Sequence, residues 1–230
     1  MDTLLQLDRD LLLYFNSFTS PFFDNFFWVV TSKSIWVPLY AVILYVIFRK
    51  QGVKGFITLI AIGVLVLLCD QISTGLFKEG FERLRPSREP ALKGLVDFVN
   101  GKQGGKYGFV SSHATNSFGL AVFTLLLFRY RWYTIFILFW AALNSYSRIY
   151  MGLHYPGDIL GGLLLGSFLG WLIFLGYKKV TVRFQPLQKE IFPISHEREF
   201  PVTSIGLIIF TGFLSLIVVF LSSKLLLDLM

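Results

Sequence analysis

Apolar runs of bilayer-spanning length dominate this chain and leave few folds open to it. A spanning helix needs about 20 predominantly apolar residues, because each backbone amide must be satisfied within the segment. Runs of this kind fall at roughly 34–48, 55–77, 112–129, 132–149, 157–177 and 204–227, the first being short for a span. Of the 230 residues, 54% are apolar and only 15% charged, more apolar surface than a soluble domain of this size can hide. Trp36, Trp132, Tyr133 and Tyr177 flank the runs as interfacial aromatics do. The expected fold is all-α: a polytopic membrane helix bundle of about six transmembrane helices, forming a single membrane-embedded domain over 1–230.

The first 31 residues read differently. "LLQLDRDLLLYFNSF" mixes leucines with acids and suits a helix lying along the interface. "PFFDNFFWVV" fits a second interfacial helix, a re-entrant helix or an extension of the first span. Residues 1–31 are therefore expected as an interfacial or re-entrant helical segment. The opening "MDTLLQLDRD" carries acids where a secretory leader carries bases, so no signal peptide is expected. The single cysteine, Cys69, lies inside an apolar run and reads as a buried, inert thiol.

The net charge of +7 comes from bases placed between apolar runs, a pattern of membrane topology and anionic head groups, not of nucleic-acid binding. Residues 49–54, "RKQGVK", hold three bases, and the 129–131 turn holds two. The 178–203 segment adds Lys178, Lys179, Arg183, Lys189 and Arg198. In a six-span chain these connections share one side, which the positive-inside rule makes cytoplasmic. Both termini, the 78–110 loop and the 148–156 turn then face outward. The 78–110 loop is basic as well, so its cations need another reason.

Three short stretches on that outward side carry chemistry. In "KEGFERLRPSREP", Lys78 and Arg85 are seven residues apart, which on a helix puts them on one face about 10 Å apart, with Glu82 within a turn of both. Two cations on one face suit an anion with several oxygens, although bases also flank spans routinely. In "YGFVSSHATNSFG", Ser111 suits the N-cap of an apolar helix whose first amides, with Ser112 and His113 beside them, form an anion seat; a capping serine next to an incidental histidine fits too. In "SRIYMGLHYPGD", Arg148 ends one run, Pro156 opens the next, and Asp158 sits four residues after His154. A carboxylate there can orient the imidazole, can cap the helix, or both. Asp70 inside the second run, as an intramembrane acid, and Asn144 one turn before Arg148 are candidates for chemistry, but structural support is the favoured reading, Asn144 as a brace for that guanidinium.

Together, K-x6-R-P, S-x-H at a helix start and S-R-x5-H-x3-D, separated by membrane runs, resemble the type-2 phosphatidic acid phosphatase superfamily. Its members include lipid phosphate phosphatases, undecaprenyl-diphosphate phosphatases and the vanadium haloperoxidases. The resemblance implies that Lys78, Arg85 and Arg148 clamp phosphate, with Ser111 and Ser112 at the same seat. It further implies His154 as the nucleophile that becomes phosphohistidine, Asp158 as its orienting carboxylate and His113 as the general acid. This chain departs from the family's usual P-S-G-H, having Val110 and Ser112 in place of Pro and Gly. "FPISHE", Phe192 to Glu197, keeps that proline, but His196 opens no apolar helix and is expected to be incidental.

No cluster has zinc-ligand spacing, and the acids are too scattered for a two-metal site, so neither a metal nor another cofactor is expected. The implied activity is hydrolysis of a membrane-lipid phosphate or diphosphate on the outward face of the plasma membrane. Undecaprenyl diphosphate is the favoured substrate; phosphatidate, phosphatidylglycerophosphate and lipid A phosphate are alternatives. A non-enzymatic lipid-phosphate carrier is the competing class, yet a carrier has no need of a histidine aimed by a carboxylate. The apolar runs exclude an aqueous haloperoxidase.

Overall fold

The computed structural model describes residues 2–191 and 200–228, with side chains over 3–183 and 200–228. The chain forms α1 (Asp2–Asn16), α2 (Pro21–Val30), α3 (Val37–Gln51) and α4 (Lys54–Gln71). A π-helical stretch, Ile72–Lys78, prolongs α4 into a last short turn, α5 (Glu79–Phe81). After a long loop come α6 (Ser112–Phe128), α7 (Arg131–Tyr150), α8 (Pro156–Ile191) and α9 (Val202–Asp228). Among the described residues there is no strand, only an isolated antiparallel bridge between Leu84 and Tyr107 inside the loop. The all-α expectation holds.

Among the described residues, three helical stretches are each long and apolar enough to cross a membrane: Lys54–Phe81, Pro156–Arg183 and Val202–Asp228. α2 and α3 pass that test only as a pair, and they are bent by 63°. The bend has a clear cause. Trp36 is buried at the break and donates Nε1–H to the Val30 carbonyl at 2.8 Å, pinning the end of α2 to the start of α3. α6 is a shorter apolar helix. Six helices thus coincide with the six apolar runs, while length and composition qualify three or four as spans.

The centre of the bundle is a close backbone contact between α6 and α8. Gly162, Gly166 and Gly170 recur every fourth residue of α8 and so share one face. A Cβ on Gly162 would lie 2.7 Å from the Ser111 carbonyl oxygen, and one on Gly166 would press into the Thr115 carbonyl. On the other side, a Cβ on Gly119 of α6 would meet Cys69 Sγ at 2.9 Å. Small residues let helices approach where hydrophobic driving force between them is weak. The consequence is positional: the start of α6 is held against the start of α8, and Ser111 N–H donates to the Asp158 carbonyl at 3.0 Å. Cys69 is wholly buried at this contact.

α1 is tied to the same end of the bundle. Buried Asn16 donates Nδ2–H to the Tyr150 and Asp97 carbonyls at 2.8 and 2.9 Å, and its Oδ1 accepts from Asp97 N–H at 2.7 Å. α1 thereby spans from the loop to the end of α7, with Leu4, Leu7 and Tyr14 left exposed. At the start of α2, α9 packs on it through Phe220 and Phe22, whose rings are 5.4 Å apart.

Candidate active site

The site is built around the turn joining α7 to α8. Arg148 lies in the last turn of α7, and Pro156 opens α8, where its missing N–H costs nothing. Gly152, with φ of 68°, lets the chain reverse close to the loop: a Cβ there would stand 2.6 Å from Val96 Cγ1. His154 follows, almost completely buried. Its Nδ1 is 3.2 Å from Asp158 Oδ2, which also accepts Tyr155 N–H at 3.1 Å, while Oδ1 accepts from Arg83 Nη1 at 2.9 Å. An ionised carboxylate only accepts, so Nδ1 carries the proton and Nε2 the lone pair. Burial, then the charges of Arg85, Arg148 and Lys78, hold His154 well below the usual 6.5, a backbone bond at Gly108 opposing them. The imidazole is neutral at pH 7.

The three cations reach this turn from different elements. Ser73 and Lys78 are five residues apart in the π-helical stretch, the spacing at which a π-helix stacks its residues. Both then meet one hydroxyl: Ser112 Oγ accepts from Lys78 Nζ at 2.6 Å and from Ser73 Oγ at 2.8 Å. Arg85, buried in the loop, donates Nε–H to the Tyr107 carbonyl at 3.0 Å. Glycines make that seat: a Cβ on Gly104 would collide with the Arg85 guanidinium, and one on Gly108 would lie 2.9 Å from Asp158 Oδ2. Arg148 donates Nη1–H to Thr31 Oγ1 at 2.8 Å, and its buried Nε has no partner among the described residues. None of the three is salt-bridged among those residues. Buried cations without a counter-charge favour an anion.

Ser111 is the N-cap of α6, its Oγ accepting Ala114 N–H at 3.5 Å. His113, half-buried in the first turn, lies within electrostatic reach of Arg148 and His154. All eight residues singled out in the sequence thus gather at one end of the bundle. The substitution of Ser112 for the family's glycine has a visible use, since its hydroxyl holds Lys78.

Lys78 and Arg85 do not share a helix face, because the helix stops at Phe81 and Glu82 takes a left-handed conformation with φ of 46°. Arg85 returns to the site by the loop's own reversal. Glu82 is exposed and forms no salt bridge with either cation. Asn144 does not brace Arg148: its Nδ2 donates to the Trp140 carbonyl at 2.9 Å, one turn back, and Thr31 holds the guanidinium instead. Asp70 is exposed on α4, its charge within reach of Lys78. "FPISHE" with His196 lies outside the described residues.

Four participants escaped the sequence reading. Arg83 pairs with Asp158 and, at 2.6 Å, with Asp8 of α1. Asp8 in turn accepts Gly157 N–H at 2.7 Å. Thr31 and Ser73 are the others. Arg83 could have been suspected as a second base two residues before Arg85; Asp8, Thr31 and Ser73 carry no local signal.

Unpaired cations around an oriented histidine, at one end of an apolar bundle, define a membrane enzyme for phosphorylated substrates. A family model described as the PAP2 superfamily matches residues 55–181, and the chain belongs to that superfamily. It is 46% identical to the lipid A 4'-phosphatase of Bacteroides thetaiotaomicron, over 80% of this chain and 83% of the relative. It is 39% identical to that of Porphyromonas gingivalis, over 77% of this chain and 75% of the relative. An undecaprenyl-diphosphatase of Sulfolobus acidocaldarius is 34% identical over 61% of each chain. A crystal structure of a transmembrane PAP2 type phosphatidylglycerolphosphate phosphatase from Bacillus subtilis shares the fold, with a TM-score of 0.58 and 23% identity over 78% of this chain and 89% of that one. The protein is a membrane-embedded lipid phosphatase.

Proposed function

We propose that this enzyme removes a phosphate monoester from lipid A, at the 4' position, through a phosphohistidine at His154. The observation carrying the chemistry is the His154 imidazole, held at Nδ1 by Asp158 and facing three cations that have no acid partner among the described residues. Phosphoryl transfer asks a protein mainly for positioning and charge neutralisation. Lys78, Arg85 and Arg148 take the phosphate oxygens, the orphan Arg148 Nε–H and the first amides of α6 adding donors. His154 Nε2 attacks phosphorus, the phosphorus–oxygen bond to the sugar breaks, and the leaving oxygen takes a proton from His113. This step uses His113 in its protonated form. Water then adds to the phosphohistidine, giving its proton to His113 and releasing inorganic phosphate.

The choice of lipid rests on the two lipid A 4'-phosphatases, which align over three quarters or more of this chain. The undecaprenyl diphosphate favoured by the sequence reading is the second choice, supported by the more distant archaeal relative. The 78–110 loop is the catalytic loop of a single domain, and 178–203, of which 192–199 lie outside the described residues and 178–191 continue α8, a cytoplasmic connection. The site faces outward from the plasma membrane, the inner membrane of a two-membrane envelope. The loop charges support that sidedness. The docking of α1 on the site, and of α9 on α2, supports both termini lying on the site's side.

The test is phosphate release by purified protein in detergent from bis-phosphorylated lipid A, undecaprenyl diphosphate, phosphatidate and phosphatidylglycerophosphate. Mass spectrometry of the lipid A product identifies the phosphate removed. Preferential loss of the 4'-phosphate is expected. Faster release from undecaprenyl diphosphate, or loss of the 1-phosphate alone, overturns the substrate assignment.

A further inference from the structure

The bonds around Asp158 do not end within the motifs. Asp158 Oδ1 is held by Arg83 Nη1 at 2.9 Å, and Arg83 Nη2 is held by Asp8 Oδ2 at 2.6 Å. The other oxygen of Asp8 accepts the Gly157 N–H at 2.7 Å, at the head of α8, one residue before Asp158 itself. The Arg83 guanidinium also lies over the Tyr155 ring, 4.1 Å from its centroid. The approach of Asp8 requires glycine at 157: a Cβ there would stand 2.6 Å from Asp8 Oδ2. Arg83 is thus a single cation shared between two carboxylates, one beside the nucleophile and one on the N-terminal helix. Asp8 lies well outside the family-matched segment, which begins at residue 55.

We infer that Asp8 and Arg83 are positioning residues for phosphate transfer, by which α1 sets the orientation and charge of the Asp158–His154 pair. Sharing is the reason both are needed. Without Asp8, Arg83 can turn both nitrogens on Asp158, drawing the carboxylate from His154 Nδ1. Without Arg83, Asp158 Oδ1 loses its donor, and the full carboxylate charge falls on the imidazole. The charged and titratable groups facing the pair are Lys78, Arg85, Arg148 and His113 on the phosphate side and Arg83 with Asp8 and Tyr155 on the other. The two variants therefore move the pair's titration in opposite directions. Loss of the Asp8 charge makes the imidazole harder to protonate, and loss of the Arg83 charge makes it easier.

The inference rests on His154 as nucleophile, and the experiment separates the two. Asp8→Asn, Arg83→Gln, the double variant and Asn16→Ala are purified in detergent with His154→Ala alongside. Turnover is measured against pH, with folding checked by thermal melting. Asp8→Asn, nearly isosteric, is expected to lower kcat about fivefold to tenfold with KM within twofold, and to do so less than twofold in the Arg83→Gln background. The acidic limb should shift to lower pH in Asp8→Asn and to higher pH in Arg83→Gln. Asn16→Ala removes the other anchor of α1 without touching Arg83 and should leave the limb in place. An equal loss from Asp8→Asn with and without Arg83, a wild-type kcat in Asp8→Asn, or limbs shifting the same way would overturn the inference. Should Asp8→Asn fail to fold, Arg83→Lys decides: it should restore at least part of the kcat lost in Arg83→Gln, and no restoration overturns the inference. Full turnover by His154→Ala would instead remove the nucleophile assignment, whatever the coupling shows.

Discussion

Replacing Asp158 by Asn tests whether the carboxylate orients His154 or merely caps α8. The side chain keeps its size and loses its charge, and the geometry leaves the amide no good orientation. One oxygen of Asp158 accepts two N–H groups, from His154 and Tyr155, and the other accepts from Arg83. If the asparagine oxygen takes the first place, its NH2 faces the Arg83 Nη1–H across 2.9 Å, donor against donor. If the amide flips, its NH2 meets Tyr155 N–H and asks Nδ1 of His154 to accept, which moves the imidazole proton to Nε2 and removes the attacking lone pair. Either way at least one charge-assisted hydrogen bond is lost at a wholly buried site, about 1.5–3 kcal/mol. At about 1.4 kcal/mol per tenfold, that is a loss of roughly 10- to 150-fold in rate. Phosphate release by the folded variant should show kcat reduced on the order of 10². KM should stay within about threefold, because the three cations that hold phosphate are untouched. A kcat within threefold of the unmodified enzyme would refute the orienting role and leave Asp158 a helix cap.

Other outcomes follow from single contacts. Ser112→Gly, which restores the family residue, frees Lys78 Nζ from its 2.6 Å partner and should raise KM about 3- to 10-fold with kcat nearly unchanged, the size of one hydrogen bond; an unaltered KM contradicts this. Gly166→Val drives a side chain into the Thr115 backbone and should destabilise the protein by about 1–3 kcal/mol, read as a lower Tm in detergent; an equal or higher Tm contradicts the close packing of α6 on α8. Burial and three cations depress the His154 value, so the unfolded chain takes up the proton first as pH falls. The stability its neutral form contributes is therefore full above about 6.5 and erodes below it. NMR of the His154 ring in the substrate-free enzyme should show it neutral well below pH 6.5, and a midpoint at or above that value contradicts the burial argument.

What the sequence made legible was local. The i,i+4 pair His154 and Asp158, the proline that opens α8 and the serine cap of α6 each depend on a few neighbouring residues, and each stands where it was expected. Sequence proximity points Arg148 to Asn144, one turn away, but a buried guanidinium takes the acceptor that tertiary packing presents, here Thr31, 117 residues distant. Lys78 and Arg85 do not share the helix face their spacing suggests, because no period reveals a left-handed residue at Glu82 that ends the helix. The glycines of α8 follow a visible four-residue spacing, yet their meaning appears only with α6 against them. Asp8 is the extreme case. It reaches Gly157 across 149 residues, from a helix whose leucines and acids by themselves suggest only an interface.

Covalent transfer to His154 is tested most directly by trapping the intermediate. The purified enzyme would be mixed with lipid A carrying isotopically labelled phosphate, quenched within a turnover in alkali, where phosphohistidine survives, and digested for mass spectrometry. The expected result is one labelled, acid-labile phosphate on His154, formed transiently and absent from His154→Ala. Turnover with no labelled protein at any time, or label on His113 in place of His154, would contradict the mechanism.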